Sequence, residues 1–459
     1  MDAFTTDPLA ASGYVHAVAA RVRAFDAALG SGPVALDPFR GETTIGRTSR
    51  ESVLASRDFE PIKGPLIAHL DYLLERRINL GVSLEESALS TQALHPATAP
   101  FPQPSTLSAR RLTALRAATE PARLEEARLA FRTLERDVRP VSAVRVLRYE
   151  RLLEIEERLG TRLSPAVVLR EDGDDAPAAA AERESADETA IERLARQLLA
   201  ETRDAAAALL EPGFAGVVGG ATGTPATEGW PARLAADTLL SLFGGSWLLA
   251  GEAPSALGLP GRLCPASFPR AAVQLGRELV RAGTPKWLPF VLARTPNELY
   301  GRVIGRRLGL WLLSPACARR ALGLGAEGRE RHARGAARLL LAETRLLCAR
   351  ALLAEAGHRS RRRLEEVWDE LGVELCGGTW GPPLGLLRAQ PDAAVDLVAQ
   401  LWALAQEAES LQAFDEDYLD NPRARDALLS EMHAAEPPPP SVPVLRAAGH
   451  ALVRRLSVG

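Results

Sequence analysis

Apolar residues recur along this chain at intervals of three and four, the repeat of a helix with one buried face. The stretch PIKGPLIAHLDYLLERRINL, residues 61–80, sets Leu66, His69, Leu70, Leu73 and Leu74 on one stripe. The same spacing returns in ARRLTALRAA and ARLEEARLAFRTLERDV between Ala109 and Val138, with Arg and Glu on the opposite face. Helix starts are expected where a hydroxyl precedes a Glu by three residues: Thr48 with Glu51, Ser83 with Glu86, and Thr295 with Glu298. There the hydroxyl accepts from an orphan N–H and the Glu reaches back to the cap. Pro296 then stands at the first helical position, where its missing donor costs nothing. Strand-type alternation is nearly missing; SPAVVLRED, residues 164–172, is the best short candidate. The fold expected is all-α, a multi-helix protein with little or no sheet.

Breaks in this pattern divide the chain. EDGDDAPAAAAERESADE, from Glu171 to Glu188, is acidic, rich in Ala and Pro, and has no large apolar residue. Such a stretch cannot bury enough surface to offset its chain entropy, and it reads as a linker or long loop. The organisation expected is a helical domain over 1–170, a linker over 171–189, a second helical domain over 190–436, and a proline linker with a terminal helix over 437–459. Two helical lobes follow from that division. A second break is GGATGTPATEGWP, Gly219–Pro231. The run Pro437–Pro440 is expected to be extended polyproline. Beyond it, Leu445, Leu452, Val453 and Leu456 make the apolar edge of a last helix, with Arg446, Arg454 and Arg455 beside it. Docking on the body is the first reading of that helix; a partner or a membrane surface is the alternative.

Composition narrows the function classes. A length of 459 residues exceeds one simple core, and 46% hydrophobic with 25% charged residues is ordinary for a globular protein. The net charge of −3 gives no global reason to bind nucleic acid. Of the 55 basic residues only Lys63 and Lys286 are lysines, a bias that points to a GC-rich bacterial genome. Cys264, Cys317, Cys348 and Cys376 are widely spaced and form no CxxC, against a disulfide framework or a cysteine zinc site. The N-terminus has no basic start followed by an apolar run. The most apolar stretch, Leu239–Gly251, is shorter than a bilayer span of roughly 20 residues. A cytoplasmic protein without a transmembrane segment is the expectation.

Familiar catalytic motifs are missing. None of the seven histidines precedes a Glu, so no HExxH zinc helix exists. One ExxH, Glu355 with His358, sits beside Gly357 and a basic run, and reads as a helix end. GLGAEG, Gly323–Gly328, follows a helix-like segment and reads as a turn between helices, not as a dinucleotide fingerprint. In FDEDYLDNPRARDALLSEMH, Asn421 and Pro422 suit the start of a helix, and Asp415, Glu416, Asp417 and Asp420 form an acidic loop before it. No metal site and no cofactor are expected.

The C-terminal third resembles the helical metallopeptidases of the thimet-oligopeptidase type. RHARGAARLLLAETRLLCARALLAEAG, Arg331–Gly357, is similar to the long helix after that family's zinc helix. FDEDYLDNPRARDALL resembles its closing segment. The resemblance implies a mainly α-helical fold with a central cleft. The HExxH motif is absent, so no zinc ligand or catalytic residue carries over.

Candidate residues come from the helical body. Glu343 shares a stripe with Leu339, Leu340, Leu346 and Leu347, so it needs an arginine partner or a raised pKa. It reads as a buried ion pair, or as a ligand-gripping or acid–base carboxylate in a cleft. His69, on its own apolar stripe, reads as a core histidine donating to a carbonyl. Residues 284–313 carry Trp287, Phe290, Tyr300 and Trp311, and Gly301, Gly305 and Gly309 repeat every four residues. The glycines suit close approach of a second helix. The aromatics with Arg302 and Arg306 are the candidate walls of a binding groove, although Arg302, Arg306 and Arg307 read first as a solvated face. The functional expectation is a non-enzymatic interaction or scaffold protein that holds a protein or peptide partner. The alternative is a peptidase-like hydrolase with an atypical site built on Glu343, Glu355 and His358.

Overall fold

The computed structural model describes residues 7–31, 37–40, 42, 44–94, 147, 149–159, 189–209, 234–235, 262–263, 268–320, 322–358, 361–376, 392–414 and 421–458. The architecture is all-α. Apart from a two-residue antiparallel pairing of β1 (Leu234–Ala235) with β2 (Arg262–Leu263), the regular elements described are helical. The expected helices over 109–138, the strand candidate over 164–172, the linker over 171–188, the break over 219–231 and the acidic loop over 415–420 lie outside the described residues.

Three N-terminal helices, α1 (Pro8–Ser31), α2 (Arg47–Ala55) and α3 (Lys63–Leu94), make a small core. Val15, Val18 and Val22 of α1 meet Leu66, Leu70 and Leu73 of α3, closed by Val53 and Phe59. The stripe read from the sequence is the buried one, with His69 only 2% exposed. The caps differ from expectation. Helix α2 begins at Arg47 with Gly46 at its cap, so Thr48 lies inside it, and Glu51 pairs with Arg47 at 2.6 Å. Ser83 falls within the continuous α3. A capping box does occur at Thr189, whose hydroxyl accepts from the Glu192 N–H while Glu192 accepts from the Thr189 N–H. It opens α4 (Ala190–Glu201), which is followed by α5 (Arg203–Leu209).

The larger core is built from α4 with α6 (Phe268–Ala282), α8 (Leu299–Leu312), α9 (Pro315–Arg320), α10 (Ala326–Gly357), α11 (Arg361–Cys376), α12 (Ala393–Phe414), α13 (Pro422–His433) and α14 (Val442–Val458), while α7 (Phe290–Ala293), between α6 and α8, packs on the small core through Phe290 and Val291. Tyr149 and Leu152, from the helical residues 149–159, belong beside it, and Tyr149 is part of the larger core. That core therefore draws on residues from both sides of the expected linker. Asn421 caps α13 by accepting from the Arg423 N–H, with Pro422 first in the helix, as its sequence suggests. Gly323, in the turn between α9 and α10, has φ +63°, the left-handed region that glycine enters without steric cost. Helix α14 docks on the body through Leu445, Ala448 and Leu452, against α4 and α12.

Helix α8 is the centre of the larger core, and residues 301–311 are all buried. Its glycine face lies against α6. A Cβ on Gly305 would stand 2.4 Å from the Val273 Cα, and one on Gly276 would stand 2.1 Å from the Gly305 nitrogen. The two backbones touch because neither helix carries a side chain at the crossing. The arginines of α8 are not a solvated face, contrary to expectation; Arg302, Arg306 and Arg307 are 7–8% exposed. Each reaches a different neighbour. Arg302 donates to Asp392 and Asp396, both at 2.6 Å, at the start of α12. Arg306 pairs with Glu343 of α10, and Arg307 with Glu431 of α13 at 3.0 Å. A helix surrounded on every side leaves no face for water, so its charges take carboxylates from the helices that enclose it.

Candidate functional site

A cleft lies where the N-terminal helices meet the larger core, holding about 650 Å³ of non-protein space that includes open solvent. Val22 and Arg23 of α1 and His69 and Tyr72 of α3 form one wall. Arg277, Val280 and Arg281 of α6 form the opposite wall, with Phe290, Arg294, Glu298, Gly301 and Glu436 at its ends. The two sides are joined at α7. The His69 Nε2–H donates to the Arg294 carbonyl at 2.9 Å, and His16 stacks on Phe290 with centroids 4.3 Å apart. Burial holds His69 down at about 4 against the ordinary 6.5. The Arg294 carbonyl pulls it partly back, and the His16 and Arg23 charges lower it further, so the ring is neutral near pH 7.

Glu298 is the residue of most unusual geometry. With φ +54° and ψ 38° it sits in the left-handed region without being glycine, alone in this among the described residues. The turn aims its carboxylate at α6. Arg277 Nε donates to Oε2 at 2.6 Å, and Arg281 donates to Oε1 at 2.6 Å and to Oε2 at 2.7 Å. Burial alone would raise its pKa, but the two guanidiniums outweigh burial and hold it at about 2. Glu298 therefore does not serve as the reach-back carboxylate of a capping box with Thr295. Glu436 does, from the segment before the prolines. It accepts from the Thr295 N–H at 2.7 Å, from the Thr295 hydroxyl at 2.8 Å and from the Tyr300 N–H at 2.7 Å.

Arg294 is bound by neutral groups. Its guanidinium donates to the carbonyls of Val280, Ala293, Met432 and Ala434 at 2.7–3.0 Å and to the Thr284 hydroxyl at 3.2 Å. Arg23 is different. Among the described residues no carboxylate lies within ion-pair distance of it. Burial lowers its pKa; Glu298 offsets part of this, and the nearby Arg281 charge adds to it. Four arginines and two carboxylates, Glu298 and Glu436, line the cleft, and Glu278 pairs with Arg281 beside it.

The residues singled out from the sequence are dispersed. Glu343 and Glu355 lie on α10, about 18 Å apart along its axis at the helical rise, and His358 is the cap that ends it. Glu343 faces Arg306. Glu355 accepts from the Thr189 hydroxyl at 3.2 Å, and His358 Nδ1 stands 3.5 Å from Glu156 with its ring edge-on to Tyr149. No common point collects the three. Of the groove candidates, Phe290 lines the cleft and Trp287 is 78% exposed. Tyr300, Arg302 and Trp311 are inside the body, and Arg306 borders a smaller recess with Glu343 and Gln400. Among the described residues no group of three His, Cys, Asp or Glu could hold a metal ion, and no helix is long and apolar enough to cross a membrane. Arg23, Arg277 and Arg281 were not singled out, and Glu298 only as a helix-cap partner of Thr295. The sequence signal for them is slight, an Arg pair at i and i+4 on α6 beside a Gly on the same face. No protein-family model, curated protein or solved structure matches the chain.

Proposed function

We propose that this is a non-enzymatic interaction protein that holds a peptide, or an extended segment of a partner protein, in the cleft between its two cores. The observation that carries the reading is the character of that cleft. Apolar and aromatic side chains, Val22, Tyr72, Val280 and Phe290, stand between arginines and leave space open to solvent. Binding sites are concave, mostly apolar, and oriented by a few polar groups. A central cleft in a helical fold is also what the resemblance to thimet-oligopeptidase-type proteins implies, here without that family's zinc motif. The hydrolase alternative gains nothing from three residues that face three different neighbours.

The test is to pan a random peptide library against the full-length chain and map enriched peptides by hydrogen exchange. Protection is expected in residues 19–23, 277–281 and 290–301. Enrichment of peptides that protect only other surfaces, or no enrichment at all, would overturn the reading.

A further inference from the structure

We infer that the cleft selects an anionic side chain in its ligand, gripped by Arg23 and set beside an apolar residue that rests on Phe290 and Val22. The inference rests on the peptide-binding reading and names what such a peptide must carry.

The other cleft arginines already have partners. Arg277 and Arg281 spend their donors on the Glu298 carboxylate, and Arg281 also reaches Glu278. The five donors of Arg294 meet five neutral acceptors. These three cations are built into the fold. Arg23 lies among the same walls, half-buried, and has no carboxylate within ion-pair distance among the described residues. A guanidinium in such a place has lost part of its water without gaining an ion pair. Burial lowering its pKa is the same fact seen as a proton equilibrium. An anion entering the cleft meets a fork of donors already partly dehydrated, where charge-assisted hydrogen bonds are strongest.

Glu298 shows that this cleft accommodates a carboxylate between guanidiniums, at 2.6–2.7 Å from three nitrogens. With Glu298, Glu436 and Glu278 set against the four arginines, one positive charge remains, so an entering anion is attracted. Phe290, backed by the stacked His16 ring, gives the apolar shelf next to it. The recognised element is thus an Asp, Glu or phosphorylated side chain next to an aliphatic or aromatic residue.

Fluorescence anisotropy with three matched peptides taken from the library tests this, alike except for Glu, Gln or phosphoserine at one position. Wild-type protein is expected to bind the Glu or the phosphoserine peptide at least about tenfold more tightly than the Gln peptide. The better of the two anions identifies the side chain. Arg23→Gln is expected to remove that preference, so that the three peptides bind alike. Arg23→Lys should keep part of the preference, and Arg57→Gln, on an exposed turn, all of it. Circular dichroism confirms that each variant is folded. Equal binding of all three peptides at the cleft overturns this inference and leaves the peptide-binding reading standing. A charge preference that survives Arg23→Gln overturns the assignment to Arg23. Absence of any cleft-bound peptide overturns both.

Discussion

Glu298 keeps a left-handed backbone because two guanidiniums hold its carboxylate. A left-handed conformation costs a non-glycine residue on the order of 1–3 kcal/mol and persists where its surroundings impose it. Glu298→Gln would keep the shape and remove the charge, leaving Arg277 and Arg281 uncompensated. A loss of about 3 kcal/mol in urea unfolding is expected, the scale of breaking a largely buried pair. His69 sets a second test. Its folded pKa is depressed from 6.5 to about 4, so the unfolded chain binds the proton more readily between those values. Its contribution is complete above pH 6.5 and is lost as pH falls toward 4, a difference on the order of 3 kcal/mol at 1.36 kcal/mol per pKa unit. Glu298 acts in the same direction in the window from 4.5 down to about 2. The urea midpoint should therefore fall between pH 7 and 4 in the wild type and fall less in His69→Gln. Equal slopes would refute the assignment.

At the level of elements, the α6–α8 crossing gives two glycines in one repeat opposite sensitivities. Gly305→Ala drives a methyl into the Val273 and Ala272 backbone and is expected to cost about 3 kcal/mol or to prevent folding. Gly309→Ala meets only the Ala272 Cβ, at an ordinary 3.7 Å, and is expected to raise stability by about 0.5–1 kcal/mol through helix propensity. Thermal melts of the two variants decide it. The repeat itself was legible, since glycines every four residues on an apolar helix have few purposes other than close approach. So were the Leu66–Leu73 stripe, the turn at Gly323 and the cap at Asn421, all settled by residues within a few positions of one another. The arginines of α8 were not. Whether an Arg faces water or Asp392 depends on a helix about ninety residues later, and no local pattern carries that. The Thr295–Glu298 box failed for the same reason: a distant carboxylate took one role and two arginines of α6 took the other. The lining of the cleft was not legible, because Arg23, Tyr72 and Arg281 come together only when α1, α3 and α6 pack.

Taken as a whole, the molecule is closed by its C-terminal residues. Leu445 is fully buried in the larger core, and Leu445→Ala is expected to cost about 2–4 kcal/mol in urea unfolding, as for other core leucines. Leu9→Ala, at a residue 66% exposed, should change little and serves as the comparison. A loss confined to local fraying of α14, seen as hydrogen exchange near its end without a shift in the global midpoint, would show that the helix is an appendage and not part of the core.

The Glu436 contacts to Thr295 and Tyr300 span 141 and 136 positions of sequence. During synthesis the chain leaves the ribosome from its N-terminus. Helices α1, α3, α6 and α8 are therefore all outside the tunnel while the acceptor for the start of α8 has yet to be made. The start of α8 cannot take its final hydrogen bonds until residue 436 has emerged, and a chain shortened before residue 436 is expected to leave the Thr295 and Tyr300 N–H groups without that acceptor.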